Sequence, residues 1–99
     1  MNIYESAEDY LEAILALRER QGYVRSIDIV RQKNITKPSV SIAMKKLREN
    51  GYIEMDPEGF ITLLPPGEEI ARRIYNRHRL IRTFLQGLGV SEENANADA

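Results

Sequence analysis

The sequence has no cysteine, so it can form neither a disulfide nor a thiolate metal site, and zinc fingers built on cysteine are excluded. It also lacks any apolar run of the roughly 18 residues that a membrane span requires. The first residues, Met1–Glu5, carry neither the basic nor the apolar region of a signal peptide. We therefore expect a cytoplasmic protein with no membrane partner.

Signatures of catalysis are missing as well. The sequence offers no nucleophile–base pair, no glycine-rich phosphate loop and no set of residues that closes a metal site. The chain of 99 residues suits one small domain with a modest core. The sequence therefore predicts a protein that is not an enzyme.

Charge is divided unevenly along the chain, although the net charge is only −1. Residues 31–50 contain six cations and one acid, and residues 72–82 contain five arginines and no acid. Residues 1–12 contain four acids and no cation. Since the distribution of charge matters more than its sum for nucleic-acid binding, the basic middle of the chain indicates a phosphate-facing surface.

Three helices are predicted in the first half of the chain, because apolar residues recur there at helical spacing. They cover residues 5–20, 27–33 and about 37–50. The residues predicted to face the core are Tyr10, Leu11, Ile14, Leu15, Leu17, Val40, Ala43, Met44 and Leu47.

Capping residues mark the ends of these helices. Ser6, Ser26 and Thr36 are predicted N-caps, since their hydroxyls can accept an otherwise unpaired backbone N–H. Pro38 is tolerated in the first turn of the third helix. Asn34 is suited to the left-handed conformation that ends a helix.

A β-hairpin and a long helix follow. Residues 52–55 and 60–64 are predicted strands around the turn Asp56–Gly59. The segment Pro65–Gly67 is expected to break the chain before a helix over residues 68–86.

The predicted order is helix, helix, turn, helix, hairpin and long helix, which is typical of a winged helix-turn-helix. The predicted fold class is therefore mainly α with a small β-hairpin. Residues 1–64 are predicted to form a DNA-binding domain, which the long C-terminal helix follows. Residues 91–93 resemble the capped start of a further helix.

The third helix is predicted to enter a DNA major groove, as the second helix of this motif does. Its outward face combines lysines that can neutralise phosphates with serines that can reach base edges. Ile42 on the same face could pack on a thymine methyl group or could weaken recognition. The hairpin turn Asp56–Gly59 is acidic, so we expect affinity to depend on the helix and on Arg25 or Arg31. The alternative is that these lysines are merely solvated. The predicted DNA-contacting residues are Arg25, Ser26, Lys37, Pro38, Ser39, Ser41, Ile42, Lys45 and Lys46.

Three further residues are candidate metal ligands. Asp9 and Glu12 share one face of the first helix because they are three residues apart. The only histidine, His78, lies on the long helix. Carboxylates with imidazole suit Mn²⁺, Fe²⁺ or Zn²⁺. Their spacing alone equally fits capping acids and a surface histidine.

Six stretches of the chain share their order and spacing with a known family. They are Glu8–Ile14, Gly22–Ile29, Lys37–Ser41, Leu47–Ile53, Ile61–Leu63 and Arg77–Leu80. In this arrangement the chain resembles the diphtheria toxin repressor (DtxR) family of metal-dependent transcriptional regulators, particularly its manganese-responsive branch. The resemblance covers nearly the whole chain.

The resemblance implies that Asp9, Glu12 and His78 bind a divalent metal, Mn²⁺ or Fe²⁺. The family's remaining ligands lie on a further helix and would begin just past Ala99, so the site is expected to be incomplete here. It also implies that residues 65–99 are the truncated start of a metal-binding and dimerisation domain that contains the long helix.

Two positions depart from the iron-responsive members of the family. Arg82 stands where those members carry a glutamate ligand, and Asn96 stands where they carry a histidine. An iron-type ancillary site is therefore not expected.

The function that follows from the resemblance is a metal-dependent repressor of metal-homeostasis genes that binds a palindromic double-stranded operator as a homodimer. A metal-independent winged-helix regulator and a winged-helix protein-interaction module are the alternatives. The apolar residues of the long helix are predicted to lack their usual cover and to pair with a second copy of the chain. They are Ile74, Ile81, Phe84 and Leu85.

Overall fold

Four helices and one short antiparallel hairpin make up the fold in a computed structural model, which describes residues 3–87 and their side chains from residue 7 onward. The elements are α1 (Ile3–Gln21), α2 (Ser26–Lys33), α3 (Lys37–Glu49), β1 (Ile53–Met55), β2 (Ile61–Leu63) and α4 (Pro65–Gly87). This order confirms the predicted fold class. The helix expected at residues 91–93 lies outside the described residues. None of the four described helices has the length and apolar character needed to cross a bilayer.

Two helices begin earlier than the sequence predicted. α1 begins at Ile3, so Ser6 lies within the helix and is not its N-cap. α4 begins at Pro65, where a break was expected. A proline in the first helical turn lacks only an N–H that has no intrahelical acceptor, and its fixed φ suits a helix. The two prolines therefore start α4 and do not separate it from the hairpin.

The turn between α2 and α3 forms as predicted. Asn34 adopts the left-handed conformation, with φ of 54° and ψ of 51°, and the Thr36 side chain caps α3. The start of α2 differs from the prediction. Its N-cap is Arg25, whose N–H donates to the Asp28 carboxylate at 2.9 Å, and Ser26 is the first helical residue.

α1 forms the centre of the hydrophobic core. It packs against α2, α3, β2 and α4, and its buried stripe matches the predicted one. Ala43, which was predicted to be buried, is only partly buried at the edge of the core. The largest fully buried side chains are Leu11, Ile14, Leu15, Leu17, Val24, Ile29, Val40, Met44 and Ile53.

The second half of α4 is exposed over much of its apolar surface. Ile81 and Phe84, which were predicted to lack their usual cover, are 51% and 64% exposed, and Leu80 is 71% exposed. Ile74 and Leu85 are half-buried. Periodicity shows which residues share a helix face, whereas burial also requires a neighbouring element that reaches that face.

The hairpin, called the wing below (residues 53–63), is joined to the connector between α1 and α2. β1 pairs with β2 in the register Ile53↔Leu63. On the other edge of β2, the Ile61 N–H donates to the Val24 carbonyl at 2.8 Å, and Arg25 forms a β-bridge with Phe60. The connector therefore acts as a third short strand that fixes the wing to the helical core.

An ion-pair network connects α1 to the start of α4. Arg18 lies 2.8 Å from the Glu68 carboxylate, and Arg72 on the next turn of α4 lies 3.0 Å from it. The hydrogen bond from Arg18, followed by that from Arg72, lowers the pKa of Glu68. The hydrogen bond to Glu68 in turn raises the pKa of Arg18. Glu68 therefore stabilises the α1–α4 contact in its ionised form.

Replacing Glu68 with glutamine is expected to destabilise the protein by about 1 kcal/mol near neutral pH and to have little effect in acid. Because the fold lowers the pKa of Glu68, its carboxylate stabilises the folded state above the unfolded pKa. This contribution is lost as the pH falls through the lowered pKa of Glu68 in the folded state. Urea unfolding of wild type and variant over a pH series measures the difference. Glu69→Gln, at an exposed neighbour, is the control and should have little effect on the free energy of unfolding. An effect of Glu68→Gln that persists unchanged in acid would contradict the prediction.

Candidate nucleic-acid interface and metal centre

α3 divides cleanly into a buried face and an exposed face. Val40, Met44 and Leu47 are 0%, 1% and 3% exposed, whereas Ile42 on the outer face is 59% exposed. Packing of α3 against α2, α1 and β1 fixes this orientation. The remaining predicted contact residues of α3 are also exposed, namely Lys37, Pro38, Ser39, Ser41, Lys45 and Lys46. The structure thus places these α3 residues on one accessible surface.

The N-terminus of α3 uses its own backbone donors locally. The Ser39 N–H donates to the Thr36 hydroxyl oxygen at 3.3 Å, and the Thr36 hydroxyl donates to the Ser39 hydroxyl oxygen at 2.8 Å. Pro38 has no N–H. The first turn therefore has fewer free backbone donors for a phosphate than a typical helix start, and anion binding there depends more on side chains such as Lys37.

Arg25 lies at the base of the wing. Its guanidinium carbon is 4.7 Å from the centre of the Phe60 ring, and its Nη2 donates to the Glu58 carbonyl oxygen. Tyr23 packs edge-on against the same ring, with 6.0 Å between ring centroids. Ser26 is only half-exposed beside this cluster. The sequence identified Arg25 but not the aromatic pair of Tyr23 and Phe60, because the pattern around Phe60 indicates only a strand residue.

A second candidate site lies in a groove between α1 and α4. Glu12 Oε2 and His78 Nδ1 are 2.5 Å apart, and their side chains are 21% and 52% exposed. Asp9 lines the same groove, which has a volume of about 640 Å³. α1–α4 packing therefore brings together two of the three predicted ligands and places the third nearby. Within residues 7–87, no three such side chains are close enough to hold a metal ion by themselves.

Four cations also line this groove, and sequence reasoning did not place them together. They are Arg20, Lys33, Arg79 and Arg82. Lys33 lies 5.4 Å from the centre of the Tyr10 ring, and burial raises the pKa of Tyr10. Arg79 and Arg82 are local in sequence to His78, but Arg20 and Lys33 come from other helices. Their positive charge lowers the affinity of this groove for a divalent cation.

Two family comparisons cover nearly the whole chain. Residues 2–60 match "Iron dependent repressor, N-terminal DNA binding domain", and residues 65–99 match "Iron dependent repressor, metal binding and dimerisation domain". The chain belongs to the iron-dependent repressor family. This confirms the family that the sequence motifs indicated.

Two transcriptional regulators are similar to nearly the whole chain. It is 38% identical over 93 residues to the HTH-type transcriptional regulator MntR of Geobacillus kaustophilus, covering 94% of this chain and 66% of that protein. It is 36% identical over 95 residues to the transcriptional regulator MntR of Salmonella typhimurium, covering 96% and 60%. The chain therefore spans less than two thirds of the length of these relatives.

A solved structure supports the same assignment. The manganese regulator SloR superimposes with a TM-score of 0.66 at 30% sequence identity, covering 90% of this chain and 44% of that one. The arrangement of the helices and wing is thus shared with a member of the family whose name specifies manganese regulation.

Proposed function

We propose that this chain is the DNA-binding part of a transcriptional repressor whose affinity for its operator is controlled by Mn²⁺ or Fe²⁺. One observation carries the DNA-binding role: α3 buries its apolar face and presents lysines and serines on the opposite face. That division is what insertion of a helix into a major groove requires. The relatives named as transcriptional regulators support the same role.

Asp9, Glu12 and His78 are the residues that we propose hold the metal. Their carboxylate and imidazole donors suit Mn²⁺ or Fe²⁺, and the Glu12–His78 contact shows that groups from two helices reach one point. Bound there, the metal would supply positive charge that links α1 to α4. Since two helices provide few donors and the groove also contains cations, the metal affinity of this chain alone should be low.

We further propose a domain boundary near Leu64. The DNA-binding domain would cover residues 1–64, and residues 65–99 would be the start of a metal-binding and dimerisation domain. The regulator would act in the cytoplasm as a homodimer on palindromic DNA that controls metal-homeostasis genes. We assign it no enzymatic activity, in keeping with relatives that are named as regulators.

A metal-independent winged-helix regulator is the second candidate. The four cations in the α1–α4 groove favour it, because they can neutralise the carboxylates without a metal. In that case the Glu12–His78 contact would serve only to hold α1 against α4.

Binding of a labelled 30-bp duplex of mixed sequence, followed by fluorescence anisotropy over a range of KCl concentrations, tests the proposed function. The logarithm of the binding constant should fall linearly with the logarithm of salt concentration, and Lys45→Gln should reduce the slope by about 0.9 if that lysine contacts a phosphate. Arg73→Gln, at an exposed position on α4, removes the same charge and should leave the slope unchanged. Absence of salt-dependent binding would overturn the proposal.

Repeating the titration with Mn²⁺ separates the two candidates. At millimolar Mn²⁺, a concentration high enough to fill a site of low affinity, the metal should strengthen binding by wild type, and His78→Ala should abolish the gain without altering binding in the absence of metal. Equal binding by wild type with and without Mn²⁺ would favour the metal-independent regulator.

A further inference from the structure

The guanidinium of Arg25 is held in place by neutral groups. The Phe60 ring lies under this guanidinium, with 4.7 Å between the ring centre and the guanidinium carbon. One N–H of the guanidinium donates a hydrogen bond to the Glu58 carbonyl oxygen. The backbone of Arg25 is fixed too, through the β-bridge to Phe60 and the hydrogen bond to Asp28. The side chain nevertheless stays on the surface. We call this arrangement of Arg25, Phe60 and the Glu58 carbonyl the arginine clamp.

The clamp leaves the positive charge of Arg25 available. A carbonyl and an aromatic ring hold a guanidinium without neutralising it, and no carboxylate forms an ion pair with Arg25 among the described side chains. The wing itself carries Glu54, Asp56 and Glu58 on its exposed surface. A guanidinium has five N–H donors, so several remain for an external acceptor.

The clamp lies at the start of α2, the first helix of the helix-turn-helix. The first helix of a helix-turn-helix crosses the DNA backbone when the second lies in the major groove. Here that first helix is α2, whose eight residues span roughly 12 Å. This length is close to the major-groove width of about 12 Å. Arg25 immediately precedes α2, at the opposite end of that helix from the turn that leads to α3.

We propose that Arg25 is the residue by which the wing side of the molecule contacts a DNA phosphate, replacing a contact that the acidic wing turn cannot make. Phe60 is its positioning residue. This inference rests on the proposed DNA-binding function and extends it, since it assigns the wing-side contact to one guanidinium held in place before DNA binds. Fixing a flexible arginine in advance reduces the entropy lost on binding.

Three variants test the clamp in the same anisotropy titration with the 30-bp mixed-sequence duplex. Arg25→Gln should weaken binding about tenfold or more at low salt and reduce the salt slope by about 0.9. Arg25→Lys should keep the slope, because the charge remains, but lose affinity several-fold, because an ammonium lacks the planar fork that fits ring and carbonyl. Phe60→Leu should likewise keep the slope and weaken binding roughly threefold.

The controls separate failure of the clamp from failure of the proposed function. Wild type and Lys45→Gln establish whether the chain binds DNA at all, and Arg73→Gln controls for net charge. An Arg25→Gln slope equal to that of wild type overturns the clamp, even where Lys45→Gln behaves as expected. Thermal unfolding of each variant checks the fold. If Arg25→Gln does not fold, the other two variants decide, and wild-type affinity in both Arg25→Lys and Phe60→Leu overturns the proposal.

Discussion

Replacing Gly67 with alanine is expected to destabilise the protein by about 3 kcal/mol or more. A Cβ atom at Gly67 would lie 2.2 Å from the carbonyl oxygen of Tyr52 and 3.0 Å from its carbonyl carbon. Both are backbone atoms, so no side-chain rotation can relieve the contact. The same Tyr52 oxygen accepts the Leu64 N–H at 3.0 Å. Moving α4 away from β1 would therefore also weaken the hydrogen bond at the junction between wing and helix.

Gly87→Ala is the matched control for this prediction. Gly87 lies on the same helix, and a Cβ atom at that position would meet no neighbouring atom of the described residues within 4 Å. Alanine favours a helix over glycine by up to about 1 kcal/mol at either position, so the difference between the two variants isolates the clash. Urea unfolding gives both free energies. A Gly67→Ala variant as stable as Gly87→Ala would show that the close approach to Tyr52 is not required.

Replacing Met44 with alanine is expected to cost about 2–5 kcal/mol of stability, whereas Ile42→Ala should leave stability nearly unchanged. Both residues lie on α3, two positions apart. Met44 is 1% exposed and belongs to the core, and Ile42 is 59% exposed. Truncating Met44 removes buried apolar contacts and leaves a cavity, and truncating Ile42 removes surface that water already reaches.

The two α3 variants should also separate in function. Ile42→Ala should fold like wild type and change affinity for DNA sequences that present a thymine methyl group, because Ile42 lies on the exposed face of α3 that we propose contacts DNA bases. Chemical unfolding and anisotropy on duplexes with thymine or uracil distinguish the effects. A large stability loss in Ile42→Ala, or none in Met44→Ala, would reverse the assigned faces of α3.

Local sequence was sufficient for α3 and for the turn before it. The Thr36 cap, the left-handed Asn34 and the spacing of Val40, Met44 and Leu47 act within one or two helical turns, and the structure shows each of them. The start of α4 was missed for a local reason as well. Paired prolines are compatible both with a chain break and with a helical first turn, and the structure has the helical turn.

Contacts between distant residues could not be predicted from pattern alone. Glu12 and His78 are 66 positions apart, and Arg25 and Glu58 are 33 apart. Each pair depends on how α1 packs against α4 or how the connector pairs with β2. The need for glycine at Gly67 has the same origin, because the atom that excludes a Cβ belongs to Tyr52.

The sequence by itself determined the order of the elements, the two faces of α3, the separation of basic and acidic segments and the family. These properties depend on residues close together in the chain or on ordered motifs, so they can be read without coordinates. Only the tertiary structure decided which long-range partners meet: Glu12 with His78, Arg18 with Glu68, and Arg25 with the wing. Helix packing and strand pairing set those distances, and a linear pattern does not encode them.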